Sequence, residues 1–260
     1  MVLTTSILLP LYLYPTPGAW TWVTNAITSY PSLPFTIIIN PSSGPGAIHQ
    51  YPENGYISGI ANLTQFDNVK LLGYVDTKYM GKSVEDVDKE VETYKYWSTY
   101  TSNNISLNID GIFFDDAIST WTTQSSNYMS TIASNAHAMN LTVTFNPGTP
   151  ASAEFFNIAD TIIMIEDSYS MYTSSSSSSL SSSSKGKGKD SIKTITSTKQ
   201  QEKSSVILYD FDGSAEKQSE IVKEIVGAGI KEVYVTTGQY EVVSGLWMEF
   251  VEAVSRAVGY

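Results

Sequence analysis

Short apolar runs alternate with longer, partly polar segments along the chain, and the alternation occurs eight times. Most of the apolar runs are nearly continuous and end in a polar residue or a tyrosine, which is typical of parallel strands buried on both faces. We therefore predict eight β-strands, over residues 7–14, 35–40, 70–76, 111–115, 142–146, 161–166, 206–210 and 232–236.

The segments between these runs predict helices. The strongest prediction covers residues 84–100, because Ser83 can cap the first turn and Asp86 follows three residues later. Further helices are expected over residues 19–30, 55–66, 127–139, 152–157, 216–227 and 244–258. Eight strand–helix units in 260 residues indicate one α/β domain, a (β/α)8 TIM barrel spanning residues 1–260, rather than an open doubly wound sheet.

Residues 173–205 break the pattern. They hold two serine tracts and a Lys-Gly-Lys-Gly-Lys run, and such a composition buries too little apolar surface to offset its ordering entropy. We predict a flexible low-complexity insertion after the sixth strand, over or beside the catalytic face. A tether for an acidic partner is the less favoured alternative.

Charge and cysteine content narrow the function. The net charge is −11 and the pI about 4.6, which disfavours nucleic acid and anionic membranes as partners. No apolar stretch is long enough for membrane insertion. The absence of cysteine excludes thiolate catalysis, and the two histidines lack metal-binding spacing. We expect no cofactor, no metal, and a monomer that binds a neutral or cationic ligand.

The first apolar run needs separate treatment, because residues 7–13 resemble the apolar part of a signal peptide. No basic segment precedes them and Pro10 interrupts them, so we predict the first strand. Three Asn-x-Ser/Thr sequons, at Asn62, Asn104 and Asn140, permit glycosylation in a secretory route.

Carboxylates follow two of the predicted strands. Asp115 and Asp116 follow the fourth strand, and Glu166 and Asp167 follow the sixth. Strands 4 and 6 lie two apart in a closed barrel, so their end residues can project into one pocket. Hydrolysis of a glycoside needs two carboxyl groups, one to protonate the leaving oxygen and one to attack or to activate water. Their spacing, and hence a retaining or inverting outcome, stays open.

Strand periodicity limits the Asp115–Asp116 pair, because adjacent residues on a strand point to opposite faces. Both can reach the pocket only if the strand ends at Asp115 and the backbone turns, and we favour that turn. A capping or loop-end role is the alternative for Asp116.

A polar and aromatic rim is predicted around these acids. Tyr12 and Tyr14 are expected to share one face of strand 1, and Tyr74 and Asp76 one face at the end of strand 3. The candidate substrate-binding residues are Tyr12, Tyr14, Asn40, Tyr74, Asp76, Asn146 and Tyr209. Each alone fits a structural role equally well, but together they are typical of a carbohydrate-binding surface.

The chain resembles the spherulin-4 family. The resemblance rests on Leu-Leu-Pro-Leu-Tyr-Leu-Tyr-Pro at 8–15, Ile-Asn-Pro-Ser-Ser-Gly-Pro at 39–45, Gly-Tyr-Val-Asp at 73–76, Ile-Asp-Gly-Ile-Phe-Phe-Asp at 109–115, Phe-Asn-Pro-Gly at 145–148 and Glu166. It implies a (β/α)8 fold, an extracellular or cell-surface location, and hydrolysis of α-1,4-linked N-acetylgalactosamine in galactosaminogalactan, a fungal exopolysaccharide. The family's essential acids fall on Asp115, Asp116 and Glu166, although a family member has glutamate where this chain has Asp116.

The sequence thus predicts an endo-acting glycosidase. Asp115 is expected to act as nucleophile or stabiliser, Glu166 as general acid with a raised pKa, and Asp116 as an assisting group. A non-catalytic polysaccharide-binding or developmental protein is the main alternative, slightly favoured by the shorter Asp116. A Mg²⁺ or Ca²⁺ site built from the carboxylates is the third.

Overall fold

A computed structural model describes residues 5–102, 105–174, 192, 195 and 197–260. Within these residues, eight parallel strands pair in sequence order and close into a barrel. The strands are Ser6–Leu11 (β1), Phe35–Ile39 (β2), Val69–Asp76 (β3), Gly111–Asp115 (β4), Thr142–Phe145 (β5), Thr161–Ser168 (β6), Ser204–Tyr209 (β7) and Glu232–Val235 (β8). The predicted barrel is confirmed, and no strand boundary differs from its prediction by more than three residues.

Helices surround the barrel. They are Thr21–Ser29 (α1), Asn54–Leu63 (α2), Val84–Trp97 (α3), Thr123–Ala138 (α4), Tyr169–Thr173 (α5), Thr198–Gln201 (α6), Ala215–Gly227 (α7) and Trp247–Val258 (α8), with a 3₁₀ turn at Ala153–Asn157. The predicted Ser83 cap is confirmed, since its hydroxyl accepts the Asp86 backbone N–H at 3.1 Å. Helix α4 begins four residues earlier than predicted because Thr122 and Ser125 form a reciprocal capping box.

In the described part of the chain, no helix is long and apolar enough to cross a membrane.

The packing of α3 on β3 fixes one wall of the barrel mouth. A Cβ atom at Gly73 would lie 2.6 Å from the Tyr94 ring, so only glycine lets α3 approach this closely. The buried Tyr94 hydroxyl donates to the backbone oxygen of Tyr74 at 2.9 Å. This contact anchors the strand end from which Tyr74 reaches the site described below.

The opposite end of the barrel is closed by a buried acid. Glu232, at the start of β8, is 4% exposed. It accepts hydrogen bonds from the Thr36 hydroxyl at 2.9 Å and the Ser205 hydroxyl at 2.8 Å. Strands β2, β7 and β8 are thereby joined at this end of the barrel.

The predicted insertion, residues 173–205, lies largely outside the described residues. Its described C-terminal part belongs to the barrel: α6 leads into β7, which begins at Ser204. Ile192 and Ile195 are also buried in the core. Of the three sequons, Asn104 lies outside the described residues as well.

Candidate active site

One asparagine joins the two principal carboxylates. The Nδ2 group of Asn146 donates to Asp115 Oδ1 at 2.8 Å and to Glu166 Oε2 at 2.7 Å. The Asn146 Oδ1 atom accepts the Gly148 backbone N–H at 3.0 Å, which turns the amide nitrogen towards the acids. Gly148 can make this turn because it adopts φ 63°, a left-handed conformation that glycine tolerates.

Two tyrosines complete the hydrogen bonds of these carboxylates. Tyr74, on β3, donates to Asp115 Oδ2 at 2.6 Å. Tyr240, in the loop after β8, donates to Glu166 Oε1. The result is a continuous chain, Tyr74–Asp115–Asn146–Glu166–Tyr240, in which every carboxylate oxygen accepts a hydrogen bond.

Burial changes the acidity of this cluster. Removal from water raises the pKa of Asp115 to about 6, and the nearby Glu166 charge adds to the increase. The hydrogen bonds from Tyr74 and Asn146 act in the opposite direction, because they stabilise the carboxylate form. The described hydrogen-bond donors to both acids are neutral groups, so no cation within these contacts offsets their charge. The pKa of Asp167 is likewise raised, by burial and by Glu166.

A β-bulge precedes Glu166. Strand β6 pairs Ile163 with Ser205 and Ile165 with Val206, which leaves Met164 as an extra residue in β6. Bulges of this kind occur beside active sites, where they redirect the side chains that follow. The orientation of Glu166 therefore depends on an irregularity that alternation along the strand does not reveal.

The backbone turns after β4, as expected from the Asp115–Asp116 pair. Strand β4 ends at Asp115, and Asp116 adopts φ 49°. The buried Thr77 hydroxyl donates to the backbone oxygens of Asp115 and Asp116 at 2.9 and 2.8 Å, which holds the turn. The turn places the Asp116 carboxylate close enough to the Tyr79 hydroxyl to raise the pKa of Tyr79.

Tyr79 lies in an unusual segment beside the acids. Lys78, Tyr79 and Met80 all adopt left-handed backbone conformations, with φ of 51°, 51° and 69°. Such conformations cost energy for residues with a side chain and persist where surrounding contacts enforce them. Tyr79 is 59% exposed, and the nearby Asp116 carboxylate raises the pKa of its hydroxyl to about 12.

Four tyrosine rings line the other half of the mouth, and we call them the tyrosine arc: Tyr74, Tyr12, Tyr240 and Tyr209. Neighbouring rings meet edge to face, with centroids 5.8 Å apart for Tyr74 and Tyr12, 5.7 Å for Tyr12 and Tyr240, and 6.3 Å for Tyr240 and Tyr209. Burial raises the pKa of Tyr12, and the Asp115 charge adds to it. The arc therefore presents neutral phenols beside the carboxylates.

Three predicted substrate-binding residues have other described contacts. Strand β1 ends at Leu11, so Tyr12 and Tyr14 do not share a strand face as predicted: Tyr12 joins the arc, whereas Tyr14 donates to Glu53 at 2.9 Å. Asn40 follows β2, and its Oδ1 accepts the Gly44 N–H at 3.1 Å. Asp76 Oδ1 accepts the Lys78 N–H at 2.7 Å and so supports the left-handed segment.

Sequence reasoning missed two residues of the mouth, Tyr240 and Tyr79. Tyr240 lies five residues beyond the end of β8, and its only sequence signal is its place in a loop after the last strand. Tyr79 has no signal, since three successive left-handed residues without glycine or asparagine are not expected.

A cavity of about 440 Å³ opens beside Glu166 and is lined by Tyr79, Asp167, Tyr209 and Pro147, among others. Within the described ranges, no group of three or more His, Cys, Asp or Glu side chains is arranged to hold a metal ion. The site thus combines two partly buried carboxyl groups, a concave space and aromatic walls, a combination that suits acid–base chemistry on a sugar.

Comparisons with known proteins agree with this description. The chain is similar to Sph3 of Aspergillus clavatus, whose crystal structure was determined in complex with GalNAc, with 25% identity, a TM-score of 0.82, and coverage of 97% of this chain and 98% of Sph3. A chitinase from Bacteroides thetaiotaomicron has a similar barrel, with 10% identity, a TM-score of 0.58, and coverage of 98% of this chain and 97% of the chitinase.

Spherulin-4 of Physarum polycephalum is 32% identical over 166 residues, which are 63% of this chain and 45% of Spherulin-4. The match thus spans less than half of that relative. The sequence matches the spherulation-specific family 4 (Spherulin4) over residues 6–254, nearly the whole chain. The chain therefore belongs to the spherulation-specific family 4.

Proposed function

We propose that the chain is an endo-acting glycoside hydrolase that cleaves α-1,4-linked N-acetylgalactosamine in galactosaminogalactan-type polysaccharide. The observation that supports this most is the asparagine shared by Asp115 and Glu166. The similarity to Sph3, which was crystallised with GalNAc, supports the choice of sugar.

The spacing of the carboxyl groups favours retention of anomeric configuration. Asp115 Oδ1 and Glu166 Oε2 both lie within 2.8 Å of one nitrogen, so these two oxygens are at most about 5.6 Å apart. Retaining glycosidases hold their carboxyl groups about 5–5.5 Å apart, whereas inverting enzymes leave about 6.5–9.5 Å for a water molecule.

We assign the attack to Asp115 and proton delivery to Glu166. In the first step, the Glu166 carboxyl protonates the glycosidic oxygen while the Asp115 carboxylate bonds to the anomeric carbon and the glycosidic bond breaks. In the second, the Glu166 carboxylate takes a proton from water, and the water oxygen displaces Asp115. Two inversions give net retention.

Ionisation of Asp115 sets a lower pH limit for these steps. Burial raises the pKa of Asp115 to about 6, so the attacking carboxylate forms only as the pH rises through that value. Tyr74 and Asn146 donate hydrogen bonds that stabilise the ionised nucleophile, and Tyr240 holds the Glu166 carboxyl group in place.

Asp116, Tyr79 and the tyrosine arc are proposed to hold the sugar. Phenol rings offer apolar faces for the pyranose ring and hydroxyls for hydrogen bonding. Because Asn146 bonds Asp115 and Glu166, whereas Asp116 lies beside Tyr79, we propose an assisting role for Asp116. An aspartate at this position is then compatible with turnover.

Mass spectrometry of the products released from purified galactosaminogalactan tests the proposal. The unmodified chain should release N-acetylgalactosamine oligosaccharides, Glu166→Gln should release none, and the exposed control Glu154→Gln should match the unmodified chain. NMR of the first products should show the α-anomer. A folded chain that cosediments with the polymer but releases no product would instead support the polysaccharide-binding protein.

A further inference from the structure

A second concave site lies outside the catalytic mouth, between α1, α2 and the segment that joins β1 to α1. Its volume is about 580 Å³, within the roughly 300–1,000 Å³ typical of small-molecule sites. We call it the α1/α2 groove. The side chains that matter below are Tyr14, Trp20, Thr21, Asn54, Ser58 and Asn62.

We propose that the α1/α2 groove binds a neutral saccharide segment of the same polymer whose cleavage is proposed above. The identity of the sugar thus rests on the proposed function, whereas the existence and chemistry of the groove do not.

The charge of the groove selects a neutral ligand. None of its 13 lining residues is an Asp, Glu, Lys, Arg or His, although the chain has a net charge of −11. The mouth, in contrast, holds Asp115, Asp116, Glu166 and Asp167. A groove without charge neither attracts an ion nor has to desolvate one, and it recognises its ligand through hydrogen bonds and apolar contact.

The polar side chains of α2 are arranged in one row. Asn54, Ser58 and Asn62 are four residues apart, so they lie on the same face of the helix. Gly55 and Gly59, which also line the groove, let its aromatic residues pack directly on the helix, since a Cβ atom would lie 3.0 Å from the Tyr14 hydroxyl oxygen at Gly55 and 2.5 Å from the Trp20 ring at Gly59. Amides and hydroxyls both donate and accept hydrogen bonds, as saccharide hydroxyls and acetamido groups require.

The aromatic residues of the groove are preorganised. Tyr14 is 48% exposed, yet its hydroxyl is fixed by Glu53 and its ring packs edge to face on Tyr56 with centroids 5.4 Å apart. The Trp20 indole N–H donates to the Leu13 backbone oxygen at 2.9 Å. A rigid, exposed ring loses little entropy when a sugar packs against it.

The groove is linked to the catalytic rim through the residues that follow β1 and β2. Tyr14 follows Tyr12 of the tyrosine arc by two residues, and both come directly after β1. Tyr56, which contacts Tyr14, donates to the Asn40 backbone oxygen at the end of β2. A long saccharide that leaves the mouth across β1 and β2 therefore meets the groove, whereas a short one fills only the mouth.

Isothermal titration of the inactive Glu166→Gln variant with a trisaccharide and a dodecasaccharide of α-1,4-linked N-acetylgalactosamine tests the proposal. Ser58→Trp and Thr21→Trp fill the groove from its two helices, and Ser134→Trp is the matched control on an exposed position of α4. We expect the two groove variants to weaken dodecasaccharide binding about tenfold or more and to leave trisaccharide binding unchanged. The Ser134 control should change neither.

Equal dodecasaccharide affinity in the folded groove variants and the control would overturn the proposal. Circular dichroism verifies folding, and two independent groove variants guard against one that fails to fold. If the unmodified chain cleaves the polymer while the groove variants bind the dodecasaccharide as tightly as the control, only the groove proposal is refuted. If neither oligosaccharide binds to the Glu166→Gln variant, the proposed function is refuted as well. A glycan found on Asn62 by mass spectrometry, in chain secreted from a eukaryotic host, would also overturn it, because that glycan would fill the groove.

Discussion

Tyr74 and Tyr240 donate hydrogen bonds to different carboxylates, Asp115 and Glu166, and these are joined by one asparagine. The two tyrosines therefore terminate a single hydrogen-bonded chain that crosses the mouth from β3 to the loop after β8. A change at either end or at the centre should affect both acids, and the first two predictions use this dependence.

Replacing Asn146 by alanine should lower kcat about a hundredfold, because the carboxyl groups lose the donor that fixes their separation. The pH–rate profile should also shift, since that donor lowers the pKa of Asp115. Asn40→Ala is the matched control, because Asn40 also follows a strand but its side chain accepts the Gly44 N–H. Similar losses of kcat in the two variants would contradict the role of Asn146.

Tyr74→Phe and Tyr240→Phe should each reduce kcat about tenfold to a hundredfold, since each removes a hydrogen bond that positions one of the two carboxyl groups while keeping the ring. Tyr209→Phe should have a smaller effect, because the described contact of Tyr209 within the arc is through its ring. Steady-state kinetics on a defined oligosaccharide distinguishes these outcomes. A Tyr209 variant as impaired as the other two would show that the hydroxyls act on the sugar and not on the acids.

The contribution of Asp115 to the free energy of unfolding should fall as the pH rises from about 4 to 6. In this window the unfolded chain has lost the Asp115 proton and the folded chain retains it, because burial raises the pKa from 3.8 to about 6. The shift corresponds to about 3 kcal/mol. Asp115→Asn should thus raise the free energy of unfolding at pH 7 relative to the unmodified chain, and raise it much less at pH 4.

Denaturant titrations at the two pH values measure this difference, with the exposed Asp67→Asn as the control. The Asp67→Asn control should change the free energy of unfolding by the same small amount at both pH values. A stabilisation by Asp115→Asn that does not depend on pH would mean that the folded chain does not resist ionisation of Asp115.

Tyr79→Gly should stabilise the fold by about 1 kcal/mol, because glycine adopts the left-handed conformation without strain. It should also raise KM about tenfold, equivalent to about 1.4 kcal/mol of binding, since a sugar would lose an aromatic contact at the cavity. Asn140→Gly is the matched control: Asn140 has φ 58° but lies outside the site, so only stability should rise. An unchanged KM for Tyr79→Gly would remove Tyr79 from the binding surface.

The barrel could be predicted because its signal is local and repeated. Each buried parallel strand appears as a short apolar run, and a run such as Gly111–Asp115 matches its strand without error. Asp115, Asn146 and Glu166 were selected by the same rule, as polar residues at strand ends. The structure brings all three into contact because closure places β4, β5 and β6 side by side.

The remaining features depend on backbone geometry that no local pattern encodes. The bulge at Met164, the left-handed segment at Tyr79 and the path of the loop that carries Tyr240 follow from contacts between distant parts of the chain. Tyr14 was wrongly predicted for a related reason. The alternation of side chains along β1 predicted that Tyr14 lies on the same face as Tyr12, but β1 ends at Leu11, and the alternation does not continue past that residue.

The turn at Gly148 has a consequence for how this site can change. The Gly148 N–H orients the Asn146 amide, and the Gly148 oxygen accepts the backbone N–H of Glu166 at 3.3 Å. One peptide segment therefore sets both the bridging side chain and the strand that carries the proposed acid. Substitutions of side chains can tune reactivity here, but altering the stereochemical course of the reaction would require this loop to be rebuilt.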